Sequence, residues 1–314
     1  MKVIVECVPN FSEGRDPGKV GLIADAIRSV PDVYVLDIHM DRDHHRSVIT
    51  FVGDQQSVLE AAVRSVGEAA RHIDLNRHHG EHPRIGAADV VPFVPVQGVT
   101  LADCVAIART AGKEIYQRFQ IPVYFYEQAA LRPDRKNLAD VRRAGYEELR
   151  QEVLSDPSRR PDVGEPRLHP TAGATAVGAR RFLIAFNIQL DSTDLAVART
   201  IARAVRASSG GLPAVKAMGV LLRSRGGAET PPQAQVSMNL TDFEQTSLSQ
   251  AFQAVEREAA RLGVSIHSSE IVGLVPAKAM EGISPESLRL VGSSPEKILE
   301  NRLAAVLPDW QKSF

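Results

Sequence analysis

Each half of the chain alternates between strand-like and helical apolar periods in the same order, and this repeat constrains the fold more than any other feature. In the first half, residues 3–8 form a short apolar run fit for a buried strand. Val20, Ile23, Ile27 and Val30 then recur at helical spacing. Residues 33–38 and 48–52 are strand-like, the second rich in β-branched side chains. Val58, Leu59, Ala62, Val63, Val66 and Ala70 share one helical face. Residues 90–96 again suit a strand, but Pro92 and Pro95 remove ladder donors, which predicts an edge or irregular strand. Thr100-Leu101-Ala102-Asp103 has the form of a capping box opening a helix to about Arg118, and residues 121–126 add a strand.

The second half repeats the order. Residues 182–190 are strand-like, and Asp191 or Ser192 can cap a helix carrying Leu195, Ala198, Ile201, Ala202 and Val205. Residues 215–222 suit a strand. Ala234, Val236, Met238 and Leu240 alternate with Gln235, Ser237 and Asn239, the pattern of a half-buried strand. A helix spans residues 246–262, and a last strand covers 271–275. Two consecutive strands in the middle of each half argue against a doubly wound parallel sheet. The expected fold is α+β: two ferredoxin-like β-α-β-β-α-β subdomains, residues 1–178 and 179–314. Each sheet carries helices on one face, and the simplest burial for the bare faces is against each other. Residues 156–179, punctuated by four prolines and three glycines, form an irregular connector placed to line a cleft.

Charge and composition remove several function classes. Thirty-seven Lys and Arg against 38 Asp and Glu give a net charge of −1, without the basic excess of a generic nucleic-acid binder. A 44% hydrophobic content with 24% charged residues excludes disorder. No apolar run reaches membrane-spanning length, and Glu6 interrupts the N-terminal apolar stretch, so it reads as a strand and not a signal peptide. Cys7 and Cys104 read as two buried thiols in a reducing cytoplasm.

Seven of the nine histidines fall within the first 82 residues, five of them in two groups, His44-His45 and His78-His79-Gly80-Glu81-His82. Imidazole titrates near neutrality, so such grouping suits proton transfer or metal ligation. Gly80 and Pro83 oppose a helix through the second group, so His78 and His82 are not an i, i+4 metal pair. A histidine on a rigid loop after a helix projects well into a cleft, and Glu81 is expected to face solvent. The first group joins two strands, where Asp41, Arg42 and Asp43 serve turn chemistry and solvation. Arg46, Arg84 and the Arg180-Arg181 pair are candidate forks for substrate carboxylates. No P-loop, dinucleotide fingerprint, CxxC, HExxH or GxSxG string occurs.

Several long strings carry a resemblance. Val5-Glu6-Cys7-Val8-Pro9-Asn10-Phe11-Ser12-Glu13-Gly14 resembles the opening of glutamate formimidoyltransferases. Residues 76–96, which contain Gly80-Glu81-His82-Pro83-Arg84, residues 173–188, residues 234–243 and residues 270–276 are similar to theirs as well. The resemblance spans nearly the whole chain and implies two α/β subdomains with facing sheets. It also implies transfer of a formimidoyl group between N-formimidoyl-L-glutamate and tetrahydrofolate, in histidine degradation. On this resemblance His82 is the general acid/base. The folate-binding stretch is Gly164-Glu165-Pro166-Arg167-Leu168-His169-Pro170-Thr171-Ala172-Gly173. The resemblance also implies a departure: an acidic residue stands in some relatives where His39 does here, so any duty of that carboxylate either falls to Asp37, Asp41 or His39 itself or is absent from this chain.

Tetrahydrofolate is then a co-substrate, no metal is expected, and the small molecules are the only partners required. The family also fits a cytoplasmic location and a homodimer. The animal cyclodeaminase is not expected in a chain ending at Phe314. Two alternatives stand beside this reading. One is a metal-dependent formimidoylglutamate hydrolase with ligands from the groups at His39 to His45 and His78 to His82. The other is a folate-binding module without turnover.

Overall fold

The computed structural model describes residues 3–80, 83–222, 232–292 and 295–307. The chain divides into two compact units, Met1–Arg180 and Arg181–Phe314.

The first unit contains β1 (Ile4–Cys7), β2 (Asn10–Phe11), α1 (Pro17–Arg28), β3 (Tyr34–Asp41), β4 (Arg46–Gly53), α2 (Gln55–His72), β5 (Ala88–Gln97), α3 (Leu101–Phe119), β6 (Val123–Glu127), α4 (Leu138–Val141), α5 (Gly145–Ser155) and β7 (Thr175–Ala179). β1 and β2 form one strand broken at Val8-Pro9, and both pair antiparallel with β4 and β5. With β3 on the far side of β4, the spatial order is β5, β1/β2, β4, β3. This is the antiparallel sheet expected of a β-α-β-β-α-β unit. The addition is a parallel pair, with β7 beside β5 and β6 beside β7.

β5 is therefore an interior strand, which corrects the edge position its prolines predict. The sheet tolerates both prolines because their missing donors fall at gaps. The Pro92 carbonyl accepts from Val8 N at the break between β1 and β2, so the missing N–H of Pro92 faces that break. Pro95 lies beyond Phe93, which pairs with the last β7 residue, Ala179. The small-residue strand β7 itself escapes a reading based on large apolar periods.

One face of this sheet packs under α1, α2 and α3. Val5, Cys7, Ile49, Phe51, Val91, Phe93, Val123, Phe125 and Val177 join Ile23, Ile27, Val63, Val66, Ile107 and Ile115 there. Alternate residues of β5, β6 and β7, namely Val90, Tyr124, Tyr126 and Ala176, form a second cluster with Val141 of α4 and Leu149 of α5. Helices thus cover both faces at this end, where the sequence predicts one. The reason is the strand period: Tyr124 and Tyr126 are as apolar as Val123 and Phe125, so both faces need cover.

The second unit contains β8 (Ile184–Leu190), α6 (Leu195–Val205), β9 (Val215–Leu222), β10 (Gln233–Leu240), α7 (Leu248–Arg261), β11 (Ile266–Val272) and α8 (Leu299–Val306). Its antiparallel sheet runs β11, β8, β10, β9, the same order as the core of the first unit. Ile184, Phe186, Ile188, Ala234, Val236 and Met238 face Ile201, Val205, Phe252 and Val255 of α6 and α7. Asp194 caps α6 in place of Asp191 or Ser192, its carboxylate accepting from Ala196 N. β11 begins five residues before the predicted strand, through Ile266, because His267, Ser268 and Ser269 are polar. Among the described residues no helix is long and apolar enough to cross a membrane.

Candidate active site

Three segments of the first unit meet around the histidines: the turn from β2 into α1, the β3–β4 turn, and the segment after α2. Glu13 ties the first to the second. Its Oε1 accepts from Arg15 N at 2.9 Å and Asp16 N at 3.1 Å, and lies 3.1 Å from His45 Nε2. Lys19 Nζ lies 3.3 Å from Glu13 Oε2. Burial raises the Glu13 carboxyl, but these donors and the His45 ring outweigh it, and the net shift is downward. Gly14 is obligatory for this approach, because a Cβ there would lie 2.1 Å from the Asp41 carbonyl oxygen.

In the β3–β4 turn, Asp41 accepts from His44 N at 2.8 Å, and the His44 Nδ1 lies 3.0 Å from the same carboxylate. Burial pushes Asp41 up, yet the His44 hydrogen bonds and charge hold it well below the usual carboxylate range. His45 takes a left-handed backbone conformation at φ +48°. Its Nδ1 donates to the His79 carbonyl at 2.9 Å, which links the second segment to the third.

His78 is the best-defined ring of the group. Its Nδ1 accepts from Arg84 Nε at 2.8 Å, and its Nε2 donates to the His45 carbonyl at 2.9 Å. One nitrogen accepts and the other donates, which fixes the neutral Nε2–H tautomer. Burial lowers its pKa to about 4, with the charges of His45 and Arg84 adding to the effect. The His45 and His78 rings stack with centroids 4.2 Å apart at 12°. Arg84 also donates to the His78 carbonyl at 2.9 Å and makes a two-pronged bond to Glu147 of α5 at 2.7 and 2.9 Å.

The irregular connector lies against this same segment. Leu75 N donates to the Thr171 carbonyl and Ala87 N to the Ala172 carbonyl, each at 2.9 Å. Asn76 Nδ2 donates to the Pro170 carbonyl at 2.9 Å. Gly173 sits at φ +71°, where a Cβ would meet the Ile85 carbonyl oxygen at 2.2 Å. His169 caps its own turn, its Nδ1 accepting from Ala172 N at 3.0 Å, and burial lowers its pKa. Glu165, Arg167, Leu168, His169 and Pro170 line a cavity of about 290 Å³ with Tyr116 of α3 and Gln120, which caps the end of that helix.

The predicted site residues distribute as follows. His82 and Glu81 lie outside the described residues. His39 is half-buried on β3, opposite Val48. Arg46 opens β4 opposite Asp41; burial and the like charge of Arg142 lower its pKa to about 10, against the pull of Asp41 and Asp89. Arg84 spends four hydrogen bonds on His78 and Glu147, a fork aimed at protein groups. Sequence reasoning missed Glu13, Asp89, Arg142 and Glu147. Asp89 accepts from Ile85 N at 2.8 Å and pairs with Arg142, so it anchors the segment just after Pro83. The one available signal was the position of Glu13 and Asp89 inside the strings that carry the resemblance.

Among the described residues no three His, Cys, Asp or Glu side chains come together as a metal-binding group. The nitrogens of His78 are both engaged, so its ring offers no lone pair to an ion. The hydrolase alternative finds no support. Cys7 and Cys104 are buried, unbridged thiols; burial raises both, Cys104 to about 12 with help from Asp103.

Comparison with known families decides between the remaining readings. The model of the formiminotransferase domain, N-terminal subdomain, matches residues 4–180, and that of the formiminotransferase domain matches residues 185–284. The chain belongs to the formiminotransferase family. A protein of Streptococcus pyogenes named glutamate formimidoyltransferase is 45% identical over 96% of this chain and 99% of its own length. One of the same name from Thermoplasma acidophilum is also 45% identical, over 96% of this chain and 97% of its own. The formimidoyltransferase-cyclodeaminase of Mus musculus is 41% identical over 89% of this chain, but only 51% of its own length is covered. Formiminotransferase similarity therefore extends across both units of the chain.

Proposed function

We propose that the protein transfers a formimidoyl group between N-formimidoyl-L-glutamate and tetrahydrofolate, giving 5-formimidoyltetrahydrofolate and L-glutamate in histidine degradation. The observation that carries this reading is the match, over nearly the full length of both partners, to two glutamate formimidoyltransferases. Tetrahydrofolate enters as co-substrate, and the chemistry requires no metal. The amidinium carbon is already electrophilic. N5 of the folate forms a bond to it and gives up its proton to His82. The resulting carbon carries three nitrogens. The bond to the glutamate nitrogen then breaks as that nitrogen takes the proton from His82. One imidazole serves as base and then acid, which suits a group titrating near neutrality.

Residues 164–173 hold the folate in this reading. In support, the carbonyls of Pro170, Thr171 and Ala172 accept hydrogen bonds from Asn76, Leu75 and Ala87, which flank residues 78–84 in the chain. Arg46 and His39 are the candidates for a substrate carboxylate or a proton-relay partner. Arg84, with its donors turned to His78 and Glu147, is the weaker candidate. Two buried thiols suit the reducing cytoplasm, and a homodimer fits the family.

The test follows glutamate release from N-formimidoyl-L-glutamate with and without tetrahydrofolate. Release is expected only with the folate, and His82→Ala is expected to lower kcat by roughly a hundred- to ten-thousandfold. Release without folate, or near-normal transfer by a folded His82→Ala variant, would overturn the proposal.

A further inference from the structure

Two arginines come together on the face of the first sheet that turns away from α1, α2 and α3. Ile49 and Phe51 of β4 point to those helices, so Arg46, Val48 and Thr50, which alternate with them, belong to the opposite face. Val90 of β5 and Val141 of α4 share the cluster on that opposite face, and Arg142 caps the end of α4 there. Phe11 of β2 pairs with Ser47 on one side and with Ala88 on the other. Arg46 and Asp89 each adjoin one of these partners, so they flank β2 with backbones on the order of 10 Å apart, two strand spacings. Arg142 reaches over this gap from α4 and pairs with Asp89. Burial and the Arg142 charge lower the Arg46 pKa while Asp41 and Asp89 raise it, so the Arg46 guanidinium lies in the field of all three charges. The two carboxylates are already engaged. Asp41 accepts from His44 N and faces His44 Nδ1, and Asp89 gives one oxygen to Ile85 N and the other to Arg142. Arg142 Nε is buried and has no hydrogen-bond partner among the described residues. Such a donor is costly to leave unpaired, and an incoming carboxylate satisfies it. Both arginines are half-buried, open enough to meet a small anion.

We propose that Arg46 and Arg142 form a dicarboxylate site, one guanidinium for each carboxylate of the glutamyl group, and that the pair sets the preference for donors with two carboxylates over donors with one. The inference rests on the transferase reading and deepens it, by giving Arg46 a partner in Arg142 and by naming the amine product as an amino dicarboxylate. Arginine suits the task because its planar fork of donors matches a carboxylate and keeps its charge when half-buried. The carboxylates of the donor do not change during transfer. Contacts to them stabilise the bound donor and the transition state alike, so their loss appears in KM and not in kcat.

The experiment compares the full chain with Arg46→Met, Arg142→Met, Arg46→Lys and Arg142→Lys. The donors are N-formimidoyl-L-glutamate and N-formimidoylglycine, and glutarate serves as a probe that carries two carboxylates and no reacting nitrogen. The parent should bind glutarate in calorimetry and should prefer the glutamyl donor. In each Met variant glutarate affinity should fall, and the KM for N-formimidoyl-L-glutamate should rise, by about tenfold to a hundredfold. kcat and the KM for tetrahydrofolate should stay within about twofold. N-formimidoylglycine has one carboxylate and needs one arginine. One Met variant should therefore leave its KM within about twofold and collapse the donor preference, while the other raises both donor KM values alike. That pattern also assigns each arginine to its carboxylate. A merely structural role would weaken both donors equally in both variants. The Lys variants keep the charge without the fork and should recover only part of the affinity, which decides the matter where a Met variant does not fold. The proposal is overturned if the parent does not bind glutarate, or if the donor preference survives in both substitutions. If the chain transfers from neither donor, the transferase reading fails, while glutarate binding to the parent and its loss in the variants still decide the arginine pair.

Discussion

Asp89→Ala removes one carboxylate with two separate duties. The Asp89 side chain, on β5, is 3% exposed. One oxygen accepts from Ile85 N at 2.8 Å, and Ile85 is fully buried. The other pairs with Arg142, whose side chain is 13% exposed and whose Nε already lacks a hydrogen-bond partner among the described residues. Truncation leaves a buried N–H without an acceptor, at about 1–3 kcal/mol. It also strands a largely buried guanidinium, and breaking such a pair from one side costs about 3–5 kcal/mol. The two penalties overlap, because the Arg142 head can turn partly to water, so a total near 4 kcal/mol is expected. That is a large share of a domain stability of about 5–15 kcal/mol. Urea unfolding, followed by circular dichroism and by the exchange of first-unit amides, measures the loss. Arg142→Met removes the stranded charge. The double variant Asp89→Asn with Arg142→Met should be less destabilised than the two single changes added together, by about 2 kcal/mol. A loss below about 1 kcal/mol for Asp89→Ala, or strict additivity in the double variant, would refute the reasoning.

Two further outcomes follow from the same geometry. His78 has a folded pKa of about 4 against an ordinary 6.5, so the folded state binds fewer protons between those values. Its contribution is fully present above pH 6.5 and is lost as the pH falls toward 4, by at most about 3 kcal/mol. Urea midpoints taken across this range should decline in the parent and flatten in His78→Asn; parallel curves would contradict the neutral ring. Gly67→Ala, inside α2, gains about 1 kcal/mol of helix propensity. Its Cβ, however, would lie 2.3 Å from Phe119 Cζ, an overpacking cost of about 1–3 kcal/mol, so the net change should be destabilising and should recover when Phe119→Leu is added. A raised midpoint in Gly67→Ala alone would show that the Phe119 ring yields freely.

The elements of both sheets were legible where apolar periods are long and unambiguous. α2, α3, α6 and α7 fall within a few residues of their predicted spans, and the Thr100–Asp103 capping box is present in full. β7 and α5 were not legible. β7 is built from Thr, Ala, Val and Gly, whose small side chains carry little periodic signal. α5 places only Tyr146, Leu149 and Val153 in the buried set, and its partner cluster exists only once the strands are assembled. β5 was legible as a strand but not as an interior one, because the cost of a proline depends on whether a neighbour has a carbonyl waiting at that position.

Local sequence determined the repeated β-α-β-β-α-β order, because periods of two and 3.6 residues are properties of the chain itself. It also marked the histidine groups and the connector as the places where regular structure stops. Which partner each histidine meets was decided by tertiary structure alone. His45 and His78 are 33 residues apart, Arg84 and Glu147 63, and Asp89 and Arg142 53. An imidazole becomes a fixed neutral scaffold or a proton carrier according to what faces its two nitrogens, and across such separations only the assembled sheet brings those groups within hydrogen-bond reach.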